Sequence, residues 1–251
     1  MKNNIKNRIL ILGIPVDKVT MSEAVDCFAG IMSRADGRGC AQIVTPNAEI
    51  VYSASKNQAL EEAITAAELV IPDGIGLVYA SRIMGTPLSE RVTGIDFLTK
   101  TSKWLSKHSG AVYLFGSAPG VAEKAAKNLV NAYPGLRIAG LHHGFYRADE
   151  EDDIVSSINA SGADFLCVAL GAPKQELFIH RHKDALNVKA AMGVGGSLDV
   201  WAGVVDRAPE SWRKSGFEWL YRLLRQPKRI GRMGALPLFL LKVIAERLSR
   251  S

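Results

Sequence analysis

The sequence predicts an α/β protein, a mainly parallel Rossmann-like sheet flanked by helices, with a basic helical appendage at the C-terminus. Three observations carry this expectation. Short apolar runs rich in β-formers alternate with longer helical patterns, as in repeated βαβ units. Most of the short runs are apolar throughout, as expected where helices cover both sheet faces. Strand signals then stop near Asp206, beyond which basic and bulky apolar residues interleave.

The candidate strands follow in order. RILIL (8–12) comes first and is ended by Gly13 and Pro15. AQIV (41–44), LVI (69–71), AVYLFG (111–116), LRIAGL (136–141), DFLCVAL (164–170) and VKAAMGV (188–194) come after it. Helical patterns such as SEAVDCFAGIMS, NQALEEAITAA, GVAEKAAKNLVNA and EEDDIVSSINA fill the gaps. From Trp212 onward the chain reads as helices broken near Pro227 and Pro237, because an interior proline removes a helix hydrogen bond. Residues 1–205 are expected to form the α/β core and 206–251 the appendage.

Composition narrows the function. The chain has 251 residues, 47% of them hydrophobic and 22% charged, which suits a globular protein rather than a disordered one. A net charge of +6 suits an anionic partner: nucleic acid, a phosphorylated substrate or acidic lipid. Cys27, Cys40 and Cys167 form no CxxC pair and read as buried free thiols in a reducing compartment. No apolar run approaches the ~18 residues of a membrane span, and the N-terminal run is too short for a signal peptide. A cytoplasmic location is expected.

Functional residues collect at the ends of the candidate strands. Thr45-Pro46-Asn47 ends one, with Glu49 opening the next helix, and Asp73 lies between Pro72 and Gly74 at the end of another. Gly116-Ser117 precedes a helix; Lys174, Gln175 and Glu176 open a second; Gly193, Gly195, Gly196 and Ser197 precede Asp199. In a parallel sheet these carboxyl ends share one edge and their loops can converge on one crevice. Glycines and helix N-termini there suit phosphate. Each residue also has a plainer use. Thr45 and Asp73 suit helix caps equally well; Gly116-Ser117 and Gly195-Gly196 suit ordinary turns; Lys174 suits a solvated surface charge. His142-His143 lacks a second set of metal-ligand spacing, and His180 and His182 fall on different helix faces. No GxGxxG, GxxxxGK[ST] or GxSxG occurs, which disfavours a dinucleotide dehydrogenase, a P-loop NTPase and an α/β-hydrolase.

Taken together, TPNAEIV, IPDGIGLVYAS, ERVTGIDF, YLFGSAPGVAEKAA, HHGF, ALGAPKQE, MGVGGSLDVWAG, RAPE and EWLYRLLRQPKRIGRM resemble the WecG/TagA/CpsF family of glycosyltransferases. The likeness runs in order along nearly the whole chain and is strongest to the TagA-type N-acetylmannosaminyltransferases of wall teichoic acid synthesis. The resemblance implies inverting, metal-independent transfer of N-acetylmannosamine from UDP-ManNAc to the 4-hydroxyl of GlcNAc on undecaprenyl diphosphate. Carried over by motif, it assigns catalytic roles to Thr45, Asp73, Arg91 and Gln175, and places Arg222, Arg229 and Arg232 on the substrate. A UDP-ManNAc-uronic acid donor stays open. A nucleotide-dependent oxidoreductase and a non-catalytic nucleotide-sugar-binding module are the more distant readings.

The chemistry fits. An inverting transfer needs a base for the acceptor hydroxyl, and Asp73 is the candidate. Without a metal, the charge developing on UDP falls to arginines, helix N-termini and backbone N–H groups. Asn47, Gly116, Ser117, Lys174, Gly195, Gly196 and Asp199 are the expected substrate-binding residues. The basic, aromatic tail suits an anionic membrane surface, which implies peripheral association with the inner face of the cell membrane. No nucleic-acid module occurs, and a homo-oligomer stays open.

Overall fold

A computed structural model describes residues 7–34, 39–216, 218–225 and 235–249. The architecture is α/β with a six-stranded parallel sheet of order β4-β3-β8-β7-β5-β6. Its strands are β3 (Ala41–Val44), β4 (Leu69–Val70), β5 (Ala111–Gly116), β6 (Arg137–His142), β7 (Phe165–Ala169) and β8 (Ala190–Gly193). Side chains alternate between two buried faces. Ile43, Leu69, Leu114, Cys167 and Met192 meet α1 (Met21–Met32), α5 (Gly94–Lys107), α6 (Val121–Ala132) and α9 (Ser197–Trp201) on one side. Tyr113, Phe115, Leu166, Val168 and Ala191 meet α7 (Glu151–Ala160) and α8 (Lys174–His182) on the other. This two-sided burial is why the central runs are apolar throughout.

The first run departs from the expectation. RILIL does not join the parallel sheet; β1 (Arg8–Ile11) pairs antiparallel with β2 (Ile14–Asp17) in a separate hairpin. A parallel crossover needs about a dozen residues or more, whereas Leu12 and Gly13 alone connect these strands. Both have positive φ, 52° and 82°, which matches the twist of a tight hairpin turn. Pro15 continues the second strand instead of ending the first. Asp17 fastens the hairpin to the sheet edge. Its fully buried carboxylate accepts from Val70 N at 2.7 Å and from Arg8 Nε at 2.7 Å.

Three helices, α2 (Ala48–Ala54), α3 (Gln58–Thr65) and α4 (Ile75–Ile83), pack with the hairpin and edge strand β4 into one apolar cluster. The C-terminal helix, Ala235–Ser249, completes this part of the core, with Phe239 and Val243 fully buried among residues of the hairpin, α2 and α4. Pro237 does not break that helix. It falls in the first turn, where the N–H it lacks would have no helical partner. Pro227 lies outside the described residues. The C-terminal helix also receives the hairpin turn, since Leu12 N donates to Glu246 Oε2 at 3.1 Å. Between the sheet and this helix run α10 (Glu210–Lys214) and α11 (Glu218–Arg225).

The thiols are free. Burial pushes the Cys40 thiol up to about 12 and the Cys167 thiol higher still, so both remain protonated packing groups; Cys27 is partly exposed.

If the C-terminal helix is core, Phe239→Ala should cost about 3–5 kcal/mol of stability. Denaturant unfolding measures this, and a midpoint within error of wild type would mean that Phe239 packs against nothing that matters for folding.

Candidate active site

A cleft of about 320 Å³ opens over the carboxyl ends of β4, β3, β8 and β7. Thr45, Asp73, Arg91 and Gln175 all line it, and so do Asn47, Gly195 and Gly196. These residues come from separate loops brought to one edge by parallel pairing.

The wall holding Thr45 and Asp73 is built from backbone bonds. Beyond the last paired residues of β3 and β4, Ile71 N donates to Val44 O at 2.8 Å and Asp73 N to Pro46 O at 3.0 Å. The two loops therefore leave the sheet side by side. Pro72 O accepts from Val92 N at 3.1 Å, which brings in the segment leading to α5. Asp73 Oδ2 then accepts from Gly94 N, the first residue of α5, at 3.1 Å.

This settles the capping question raised by the sequence. The helix after Asp73 begins at a Gly74 N-cap with no side-chain hydrogen bond, so Asp73 does not cap its own helix. It holds an N–H of a different one. Nor does Thr45 cap α2: Asn47 does, its Oδ1 accepting from Ile50 N at 2.9 Å. Thr45 Oγ1 instead faces Gly94, where an added Cβ would lie 3.1 Å from it and 3.4 Å from Asp73 Oδ2. Gly94 lets the helix start approach both side chains this closely.

On the opposite wall, Gln175 is almost fully buried. Its Oε1 accepts from Gly195 N at 3.0 Å, which ties the start of α8 to the glycine loop after β8. Arg91 supplies a cation. Its Nη2 donates to Arg213 O at 3.2 Å and lies 3.8 Å from Glu218 Oε2. Arg91 thus joins α10 and α11 to the cleft, which Glu218 and Leu223 also line.

The same segment is tied to α5. Thr93 is the N-cap, accepting from Asp96 N at 3.3 Å, and Arg207 Nη2 lies 2.7 Å from Asp96 Oδ1. Burial acts to raise the Asp96 carboxyl, but hydrogen bonds from Thr93 and Arg207 and the charges of Arg207 and Arg213 outweigh it and hold the group below the usual carboxylate range.

The remaining sequence-derived residues fall elsewhere. Gly116 and Ser117 lie at the end of β5 on the same sheet edge but do not line the cleft. Gly116 has φ 124° and a Cβ there would lie 2.5 Å from the Ala169 backbone, so packing against β7 alone requires glycine. Lys174 is exposed at the start of α8, and Asp199 lies in the first turn of α9; neither lines the cleft. Arg222 lies in α11, whereas Arg229 and Arg232 lie outside the described residues. Among the described residues no group of three or more His, Cys, Asp or Glu is arranged to hold a metal. His142 Nδ1 pairs with the His143 carbonyl at 2.7 Å.

Sequence reasoning gave no role to Thr93, Gly94 or Glu218, all of which line the cleft. Thr93 was findable, because T-G-I-D has the spacing of a helix-capping pattern. Glu218 carries no local signal; only the tertiary path of the chain brings it to Arg91.

A cleft of this kind, at the carboxyl edge of a doubly covered parallel sheet, is where α/β enzymes bind their substrates. The chain belongs to the glycosyl transferase WecG/TagA/CpsF family, whose profile matches residues 9–251. It is similar to a protein of Staphylococcus aureus (strain MRSA252) named N-acetylglucosaminyldiphosphoundecaprenol N-acetyl-beta-D-mannosaminyltransferase. The two are 36% identical over 236 residues, which cover 94% of this chain and 92% of that protein. A protein of the same name from Bacillus spizizenii (strain ATCC 23059 / NRRL B-14472 / W23) is 36% identical over 202 residues, 80% of this chain and 78% of its own. The chain is thus a glycosyltransferase.

The depressed Asp96 carboxyl gives a pH test. Because the folded value lies below the unfolded one, near 3.9, its stabilisation is complete above that pH and is lost as pH falls through the folded value. Asp96→Asn should lower the melting temperature at neutral pH, and the gap to wild type should close progressively below about pH 4. A gap that stays constant under acid would show that the ion pair with Arg207 contributes nothing.

Proposed function

We propose that the chain transfers N-acetylmannosamine from UDP-ManNAc to the 4-hydroxyl of N-acetylglucosamine carried on undecaprenyl diphosphate, inverting the anomeric centre. One observation carries this reading: the cleft gathers Thr45, Asp73, Arg91 and Gln175, the four positions matched to the family's catalytic motifs, from four separate segments of the chain. The names of the relatives supply the sugar and the acceptor.

In this mechanism Asp73 takes the proton of the acceptor hydroxyl as that oxygen attacks the anomeric carbon. Its bond to Gly94 N fixes where the carboxylate stands. Thr45, beside it across Gly94, is placed to hydrogen-bond a sugar hydroxyl. As the bond to UDP breaks, negative charge grows on the leaving diphosphate. Arg91 and the Gly196 N–H at the start of α9 are the groups of the cleft suited to meet it. No metal is assigned a role.

The acceptor's lipid anchor implies action at a membrane surface. No helix among the described residues is long and apolar enough to cross a membrane. The segments that close the cleft also present apolar surface. Leu223 and Leu236 line it, while Leu224, Leu238, Leu241 and Leu248 are exposed. Leucines 238, 241 and 248 stand at helical spacings of three and seven, so they share one face. That face suits the headgroup region of an anionic bilayer, with the cleft opening beside it.

Two outcomes are expected. With UDP-ManNAc and a lipid-diphosphate GlcNAc acceptor, Asp73→Asn should fold and lose roughly 10²–10⁴ in turnover, while wild type keeps its rate in EDTA. Near-wild-type turnover by the variant removes Asp73 as base, and loss of the wild-type rate in chelator with recovery on adding magnesium overturns the metal-free mechanism. Leu238→Glu with Leu241→Glu should weaken sedimentation with anionic liposomes and spare transfer to a short, water-soluble acceptor. Unchanged liposome binding would place the membrane contact elsewhere.

A further inference from the structure

Glu176 is a buried acid that the proposed mechanism leaves unused. It is 2% exposed. Its Oε1 accepts from Gln175 Nε2 at 2.8 Å, and Gln175 Oε1 in turn accepts from Gly195 N at 3.0 Å. Its own backbone carbonyl accepts from Gln42 Nε2 at 3.0 Å, beneath the cleft in β3. A single line of polar contacts therefore runs from the fully buried Gln42 through Glu176 and Gln175 to the glycine loop.

The direction of these bonds matters. A glutamine amide has two faces of opposite character, and nothing in the side chain itself decides which way it turns. Here an acceptor, Glu176 Oε1, claims one N–H of Gln175, and a donor, Gly195 N–H, claims its oxygen. Reversed, the amide would set oxygen against oxygen and N–H against N–H. Gln175 also lies tight against the strand end: a Cβ on Gly193 would come within 2.6 Å of its Nε2. The remaining Gln175 N–H is the group left to donate within the cleft that Gln175 lines.

We propose that Glu176 is a positioning residue for glycosyl transfer: as an uncharged carboxylic acid it sets the sense of the Gln175 amide, and so fixes the Gly195 loop and presents an N–H to the substrate. The neutral form follows from the surroundings. Burial raises the Glu176 carboxyl against the opposing hydrogen bonds from Gln175 and the backbone, which favours the uncharged acid. Among the described residues, Oε2 is buried without a hydrogen-bond partner, as is Gln42 Oε1. A carboxylate oxygen buried without a partner is most costly as an anion, and a proton on the carboxyl removes that charge. The transfer step itself rests on the proposed function; the positioning of the loop does not.

Two variants separate the possibilities. Glu176→Gln keeps a neutral acceptor at Oε1 and a donor in place of the acid proton. Glu176→Leu removes both. Hydrogen exchange at the Gly195 amide reports the loop bond without any substrate. It should stay protected in Glu176→Gln and exchange roughly 2–10-fold faster in Glu176→Leu, the effect of losing one supporting hydrogen bond. In the transfer assay kcat should fall over the same range in Glu176→Leu, with the KM for acceptor little changed, and Glu176→Gln should retain most of the rate. Loss of protection in folded Glu176→Gln overturns the neutral-acid role, and this holds even if Glu176→Leu fails to fold. Full protection in folded Glu176→Leu shows that Gly195 needs no help from Glu176. If wild type shows the protection but no transfer with any UDP-sugar, the proposed function fails and the positioning stands.

Discussion

The site depends on how two short strands end. β3 and β4 pair through only two registered positions, Ile43 with Leu69 and Val44 with Val70. The pairing is then carried past the strands by Ile71 N to Val44 O and Asp73 N to Pro46 O. Those two bonds decide that Thr45 and Asp73 leave the sheet together. The bond from Gly94 N to Asp73 Oδ2 then brings the N-terminus of α5 against both. A helix begins with N–H groups that lack helical partners, and a carboxylate is the group best suited to satisfy one. The acid at the end of β4 is therefore both a structural link between β4 and α5 and the candidate base. Any change that shifts α5 shifts the proposed chemistry with it.

The C-terminal part of the chain is keyed to this arrangement at several points. Arg91 reaches Arg213 O and Glu218, Arg207 pairs with Asp96 in the first turn of α5, and Phe239 is buried beside the hairpin and α4. Gly76 has its own part in this, since a Cβ there would come within 2.9 Å of both Ala48 and Leu236. The residues after Val205 thus supply one wall of the cleft and a share of the core. The same leucine-rich segments turn exposed side chains outward. One stretch of chain therefore both closes the cleft and carries the exposed leucines.

Much of this was legible in the sequence. The central strands announce themselves because both their faces are buried, which forces an unbroken apolar run. The convergence of Thr45, Asp73 and Gln175 follows once the strands are taken as parallel, since their carboxyl ends must share an edge. Other features were hidden. Pro15 looks like a stop, yet it occupies a strand of a peripheral hairpin, where a missing N–H is tolerated. Pro237 looks like a break, yet it sits where the first helical turn needs no donor. Lys174 and Gln175 are neighbours in one motif, but helical geometry exposes the first and buries the second. Gly116 and Ser117 share the sheet edge with the cleft and still stand outside its lining, because strand order puts β7 between β5 and β8. Glu218 meets Arg91 only through tertiary packing, which no local pattern encodes.

The central claim is that the cleft at β3 and β4 brings an acceptor hydroxyl to Asp73. A general base must lie within hydrogen-bond reach of the proton it takes, about 2.6–3.2 Å between heavy atoms. The most direct measurement is a crystal structure of the chain with UDP and a soluble GlcNAc-diphosphate acceptor analogue. The expected result is UDP in the cleft against Arg91 and the loop at 193–196, with the acceptor's 4-hydroxyl in hydrogen-bond contact with an Asp73 carboxylate oxygen. An acceptor hydroxyl held by another group and out of reach of Asp73, with UDP still bound in the cleft, would contradict it.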